Sequence, residues 1–180
     1  AAAAQFDVYM PTSVLNGQAG TIDIQFNPGS FPAVYSAGTA TVSNFSILGG
    51  TLGALAGGPD GGASGSLPGP LTIINSDFLN GILYGATFGT EVRFRLDLSG
   101  AAFTDANQSI LSLFSVNLTA GNDSVLAAAD LLGSSTLDTT LSTAGVRFDA
   151  VGGEIPEPST WSVVAIGLGA AAFLARRQRR

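Results

Sequence analysis

The sequence predicts an all-β domain, a β-sandwich or jelly roll of eight or nine strands, followed by one C-terminal transmembrane helix. Three observations lead there. From Gln5 to Val151, apolar residues recur with period two in short runs, as a half-buried strand requires. Clusters of Gly, Asn, Asp, Ser and Pro separate these runs at fairly regular intervals, as in sandwiches and barrels. The end of the chain breaks the pattern with an uncharged apolar run and an arginine cluster.

The runs can be taken in order. Gln5 to Pro11 places Phe6, Val8 and Met10 on one face and Asp7 and Tyr9 on the other. Thr21 to Phe26 repeats this, with Ile22, Ile24 and Phe26 inward and Asp23 and Gln25 outward; Asn27-Pro28-Gly29 then supplies turn chemistry. Thr39 to Ile47 loses its period between Val42 and Phe45, which predicts a bulge near Asn44. Pro70 to Ile74, Ile82 to Phe88 and Glu91 to Leu98 follow, and Gly89-Thr90 reads as the turn of a tight hairpin. Ile110 to Leu118 turns at Gly121-Asn122-Asp123, and Ser124 to Ala128 pairs back in preference to forming a helix. Val146 to Val151 closes the set, with Val146 and Phe148 inward. The glycine-rich stretch Ala56 to Gly69 reads as a flexible surface loop, and Ser134 to Ser142 as a polar connection.

The organisation expected is an exported β-sandwich domain over residues 1–151, a linker over 152–160, a transmembrane helix over 161–175 and a basic cytoplasmic end over 176–180. Trp161 to Ala175 holds one polar side chain, Ser162, and no charge. As a helix, it spans about 22 Å at ~1.5 Å per residue. That is short for a bilayer core of about 30 Å, but terminal arginines can snorkel and the bilayer can thin locally. Trp161 stands at the interfacial position, Leu168 at the centre and Ala175 at the far end. Arg176, Arg177, Arg179 and Arg180 set the topology, with the arginines in the cytoplasm and the body outside.

Composition restricts function. The chain has thirteen acids and seven arginines, with no lysine, histidine or cysteine. All the acids precede Trp161, where the only cations are Arg93, Arg95 and Arg147. Such a surface repels nucleic acid, which is excluded as a partner. Triads built on histidine or cysteine are impossible, as are the usual zinc ligand sets. No disulfide can staple the fold, so it rests on its core. The Ala1-Ala2-Ala3-Ala4 start is what signal peptidase leaves, so an export signal is expected upstream.

The tail also fits a known pattern. Pro156-Glu157-Pro158, the apolar run and the arginine cluster together resemble the PEP-CTERM sorting signal of exopolysaccharide-producing Gram-negative bacteria. The resemblance implies that the chain is a substrate of an exosortase-type processing enzyme, a membrane-embedded cysteine transpeptidase-like protein. An inner-membrane-anchored precursor would then become a protein of the cell surface or extracellular biofilm matrix. In the body, Gly20 to Gly29, Ala40 to Ser46 and Gly65 to Gly69 resemble a small uncharacterised family of PEP-CTERM proteins, which brings no activity with it.

The expected role is therefore non-enzymatic. A carbohydrate-binding module acting on exopolysaccharide is the alternative. Its best platform residue is Tyr9, since the body's other tyrosines are Tyr35 and Tyr84 and the only Trp is in the tail. A carboxylate-dependent glycoside hydrolase, which needs only two acids, is the third reading. No cofactor is expected. Asp7 and Asp149 are calcium candidates if the terminal strands pair, although Ca²⁺ takes six to eight oxygens and no local spacing supplies them.

Overall fold

The computed structural model describes residues 4–28, 36–103, 112–131, 137–138 and 145–151. Among these are twelve strands: β1 (Ala4–Pro11), β2 (Ala19–Pro28), β3 (Gly38–Leu48), β4 (Thr51–Asp60), β5 (Gly62–Gly65), β6 (Leu71–Ile74), β7 (Gly81–Thr87), β8 (Glu91–Gly100), β9 (Ser112–Ala120), β10 (Asp123–Leu131), β11 (Leu137–Asp138) and β12 (Arg147–Ala150). They form two six-stranded sheets, ordered β12-β1-β8-β3-β6-β5 and β11-β10-β9-β2-β7-β4. The transmembrane helix expected over 161–175 lies outside the described residues. Within them, no helix is long and apolar enough to cross a membrane.

The pairing is nested. β1 pairs with β8, β2 with β7 and β3 with β6, all antiparallel, while consecutive strands from β1 to β4 alternate between the sheets. This is a long hairpin rolled onto itself, the connectivity that gives a jelly roll its two sheets. The hairpin's closed end is the β4–β5 connection at Gly61, whose φ of +54° suits glycine. β9, β10 and β11 extend the second sheet beyond β2, and β12 extends the first beyond β1.

The period-two residues fill the space between the sheets. Phe6, Val8 and Met10 of β1 and Val92, Phe94, Leu96 and Leu98 of β8 are buried from the first sheet. From the second come Ile22, Ile24 and Phe26 of β2 and Phe114, Val116 and Leu118 of β9. Phe94 spans the layers, with its ring 6.1 Å from Phe45 and 6.5 Å from Phe114. Each fully buried side chain of this size contributes about 1.5–3 kcal/mol relative to exposure, so this layer carries the fold without disulfides. The bulge expected near Asn44 is present. The β3–β8 register slips between Ser43 and Ser46, and Asn44 takes φ +54°. The slip returns Phe45 to the core at 5% exposure.

Three expectations change. Gly89-Thr90 is not a hairpin turn, because β7 and β8 lie in different sheets. Alternation shows that strands flank the turn but not whether the second pairs with the first or crosses to the facing layer. Here the crossing is held from outside. Thr12 Oγ1 donates to Gly89 O at 2.8 Å, Thr12 N to Thr90 O at 2.9 Å and Thr90 N to Leu48 O at 2.8 Å. Ala56 to Gly69 is not a loop, since β4 and β5 occupy most of it. Its end is pinned where Leu67, 7% exposed, enters the core and donates its N–H to Tyr84 Oη at 3.0 Å. With β4, β5 and the short β11 added, the strand count exceeds the eight or nine expected. The pairing of β9 with β10 at Gly121-Asn122 is as anticipated.

Candidate functional site

The outward residues of the first sheet gather all three body arginines. Asp7 of β1 stands opposite Asp149 of β12 on one side and Arg95 of β8 on the other. The terminal strands thus bring the two calcium candidates into register. Each carboxylate is turned to an arginine, however. Arg95 Nε and Nη2 both donate to Asp7 Oδ1 at 3.0 Å, and Arg147 Nε donates to Asp149 Oδ2 at 2.8 Å. The Asp149 hydrogen bond is the main cause holding the exposed Arg147 guanidinium above its ordinary pKa. Arg93 pairs with Glu91 of its own strand. Among the described residues, no group of three His, Cys, Asp or Glu gathers to hold a metal.

Tyr9 lies in the next row, between Arg147 and Arg93 in register. Their guanidinium carbons lie 4.2 Å and 5.6 Å from its ring centre. These are cation–π distances, so the ring proposed as a saccharide platform is already used by its neighbours. Tyr84 is buried at 5% exposure, and Tyr35 lies outside the described residues.

The second sheet presents a different surface. Along β2, Asn27 Nδ2 donates to Gln25 Oε1 and Gln25 Nε2 donates to Asp23 Oδ2, both at 2.7 Å. Residues two apart share a face in a strand, so this is a side-chain ladder along the outer face. Across on β9, Asn117 opposes Asp23 and Ser115 opposes Gln25. On β7, Leu83 opposes Asp23 and Gly81 opposes Gln25. A Cβ at Gly81 would lie 2.7 Å from Ile24 O and 2.9 Å from Gln25 Cγ, so glycine here lets the Gln25 side chain lie flat. A depression of about 220 Å³ opens beside the ladder, with Asp23, Gln25, Asp60, Leu79 and Leu83 in its wall.

The connection 75–80 between β6 and β7 is braced against this ladder by Asn80, which is fully buried. Asn80 Oδ1 accepts from Gly62 N at 2.8 Å and Asp77 N at 3.1 Å, while its Nδ2 donates to Asp77 O at 2.7 Å. Its backbone N–H donates to Asn27 Oδ1 at 2.7 Å. Asn75, also fully buried, anchors the other end through Gly38 N, Ser36 O and Ser112 Oγ. The tip between these anchors exposes Phe78 at 72% and Leu79 at 45%. By phase Asp23 and Gln25 face outward, but nothing in the period-two pattern marks Phe78. The local signal for the tip is Asn75-Ser76-Asp77-Phe78-Leu79-Asn80 itself, a large apolar pair between capping asparagines.

Burial holds the Asp23 carboxyl above its ordinary pKa, partly offset by the Gln25 hydrogen bond. Relative to the unfolded chain, the folded state therefore favours the protonated acid. Stability gained this way is present below the unfolded pKa and is lost as pH rises through the folded pKa. Asp23→Asn keeps an acceptor for Gln25 and removes the charge. Its melting temperature relative to the parent should rise with pH across the carboxylate range and level off toward neutrality. A difference that is flat or falls with pH contradicts this account of Asp23.

The sorting residues Pro156, Glu157 and Pro158, together with Trp161, Leu168, Ala175 and Arg176, Arg177, Arg179 and Arg180, lie outside the described residues. In this part of the chain, residues 154–180 match the PEP-CTERM protein-sorting motif. That match does not extend to the body, so it leaves the body's resemblance to a smaller family unassigned. No curated protein and no solved structure matches the chain. The chain carries a PEP-CTERM sorting signal, which implies a secreted protein processed at the membrane by an exosortase.

Proposed function

We propose that this chain is a non-enzymatic protein of the cell surface or extracellular matrix of a Gram-negative bacterium, whose β-sandwich is delivered by exosortase-type processing. The sorting motif at 154–180 carries the reading. The sandwich supports it, because Asp7, Glu91 and Asp149 are taken up by arginines and Asp23 by an amide. In this reading the precursor is held in the inner membrane through 161–175, with Arg176 to Arg180 inside. The test is the intact mass and location of the protein in hosts with and without the exosortase. With it, the protein should appear at the surface or in the medium, shortened at its C-terminus. Without it, a longer precursor should stay in the inner membrane. Identical masses and locations in the two hosts would reject delivery by this route.

A second reading, a carbohydrate-binding module in the exopolysaccharide matrix, is favoured by the polar ladder and braced loop of the second sheet. That reading moves the platform from Tyr9 to the opposite outer face. The glycoside hydrolase reading would need Asp23 and Asp60, which share the depression wall, to act as acid and base. Turnover of polysaccharide separates the two.

A further inference from the structure

We infer that the outer face of the second sheet, from the Asp23–Gln25–Asn27 ladder to the Phe78–Leu79 loop tip, binds a neutral saccharide chain. The inference rests on the carbohydrate-binding reading above and gives it a site and a ligand class.

The first ground is the chemistry of the ladder. A sugar hydroxyl both donates and accepts hydrogen bonds. Asp23 offers only acceptors, while Gln25 and Asn27 offer both kinds. Each amide spends one N–H within the ladder and one carbonyl lone pair on its neighbour, Gln25 on Asn27 and Asn27 on Asn80. Among the described residues neither amide makes another side-chain hydrogen bond, which leaves a second N–H and a second lone pair on each for a ligand. Donors and acceptors therefore alternate along the strand, which suits a row of hydroxyls better than a row of like charges. Asn117 and Ser115, opposite Asp23 and Gln25, add the same chemistry from β9.

The second ground is preorganisation. Holding these side chains in one geometry costs rotamer entropy, and the hydrogen bonds at 2.7 Å meet that cost before a ligand arrives. Asn80 fixes the loop to the same network, so the exposed Phe78 and Leu79 are presented by a braced turn. An apolar pair at such a tip contributes little to the core. Beside the ladder, Leu79 shares the depression wall with Leu83 and supplies an apolar surface for the C–H face of a sugar ring, and the exposed Phe78 precedes it on the same tip. Glycine at position 81 keeps the floor open.

The third ground is charge. Arg93, Arg95 and Arg147 all lie on the outer face of the first sheet. The depression of the second sheet has Asp23 and Asp60 in its wall and no cation. An anionic polymer would meet repulsion here, and a neutral one would not.

The test uses the full chain, purified in a detergent without a sugar headgroup. Calorimetric titration would use the β-1,4-glucan, β-1,3-glucan, β-1,4-mannan and α-1,4-glucan hexasaccharides, with alginate as the anionic comparator. At least one neutral hexasaccharide should bind, with an affinity little changed by salt, and alginate should not. Asp23→Ala and Phe78→Ala should each weaken binding about tenfold or more, the effect of losing a charged hydrogen bond or a stacking surface. Tyr9→Ala, on the opposite face, should leave it within about twofold of the parent, as a residue away from the site should. If Asp23→Ala fails to fold, Phe78→Ala decides, since that side chain is 72% exposed. Binding of alginate alone, binding of no neutral hexasaccharide, or a loss on Tyr9→Ala with none on Phe78→Ala would overturn the inference. New reducing ends during the titration would overturn the non-enzymatic reading and replace binding with hydrolysis. A protein delivered to the surface that binds none of these sugars keeps the delivery reading and rejects this site. A protein that binds them but is not delivered does the reverse.

Discussion

Replacing Phe114 by alanine is expected to destabilise the fold by about 3–5 kcal/mol, the range for removing a buried aromatic ring. Phe114 has no exposed surface. It opposes Phe26 in the β2–β9 register, and its ring meets Phe94 of the facing sheet at 6.5 Å with a tilt of 57°. The substitution loses apolar burial and opens a cavity where the two layers touch. Backbone pairing on both sides of β9 limits how far the sheets can close over it. Single domains are stable by only about 5–15 kcal/mol, so a large share of the total is at stake. Denaturant unfolding followed by circular dichroism should show a lower midpoint with the slope unchanged. Phe78→Ala is the internal comparison, because a substitution at an exposed site should stay within about 0.5 kcal/mol. Equal losses at the two positions would contradict the placement of both rings.

These phenylalanines also show what the sequence makes legible. Phe114 belongs to an alternating run, and alternation records one solvated and one buried face. The inward residues of β1, β2, β8 and β9 follow directly from it. The bulge at Asn44 was readable because a lost period is itself a signal. The meeting of Asp7 with Asp149 was readable because both sit on outward phases of the terminal strands. β4 was not readable. It is an edge strand with most of its side chains exposed, so it carries no alternation. Its glycines serve close approach instead, since a Cβ at Gly53 would lie 2.9 Å from Gly85 O. The Gly89-Thr90 crossover departs from the hairpin that the sequence predicts, because a two-residue connection looks alike whether it joins one sheet or two.

The candidate site was legible only in part. Asp23 and Gln25 are outward by phase, and their spacing permits a ladder. The hydrogen bond that makes the ladder part of a site runs from Asn80 to Asn27, 53 residues apart in the chain. No local pattern announces it. Buried asparagines are uncommon, and Asn75 and Asn80 are buried only because loop backbone groups satisfy them. That satisfaction is tertiary, as is the display of Phe78 that depends on it. On the first sheet, Tyr9 is outward as its phase predicts, but its flanking arginines come from β8 and β12, both far from it in the chain.

The largest effect on delivery is expected from the tail, where two changes should fail in different ways. Pro156→Ala with Pro158→Ala removes two fixed φ angles and two missing N–H groups. Alanine is the best helix former, so helix can extend from the apolar run toward Glu154. On the proposed reading, the segment that the two prolines keep extended for a processing enzyme would then be lost, while Trp161 to Ala175 keeps its hydropathy. Uncut precursor should accumulate in the inner membrane. Leu168→Asp leaves the Pro-Glu-Pro segment intact and places a carboxylate near the middle of Trp161 to Ala175, which costs about 3 kcal/mol on insertion scales. For a run this short, that should prevent stable insertion, leaving uncut protein soluble in the periplasm. The fraction in which uncut protein is found thus separates loss of recognition from loss of anchoring. Delivery of the double-alanine variant at the parent's rate in an exosortase-positive host would mean that the Pro-Glu-Pro segment is not read, and that the tail is a simple membrane anchor.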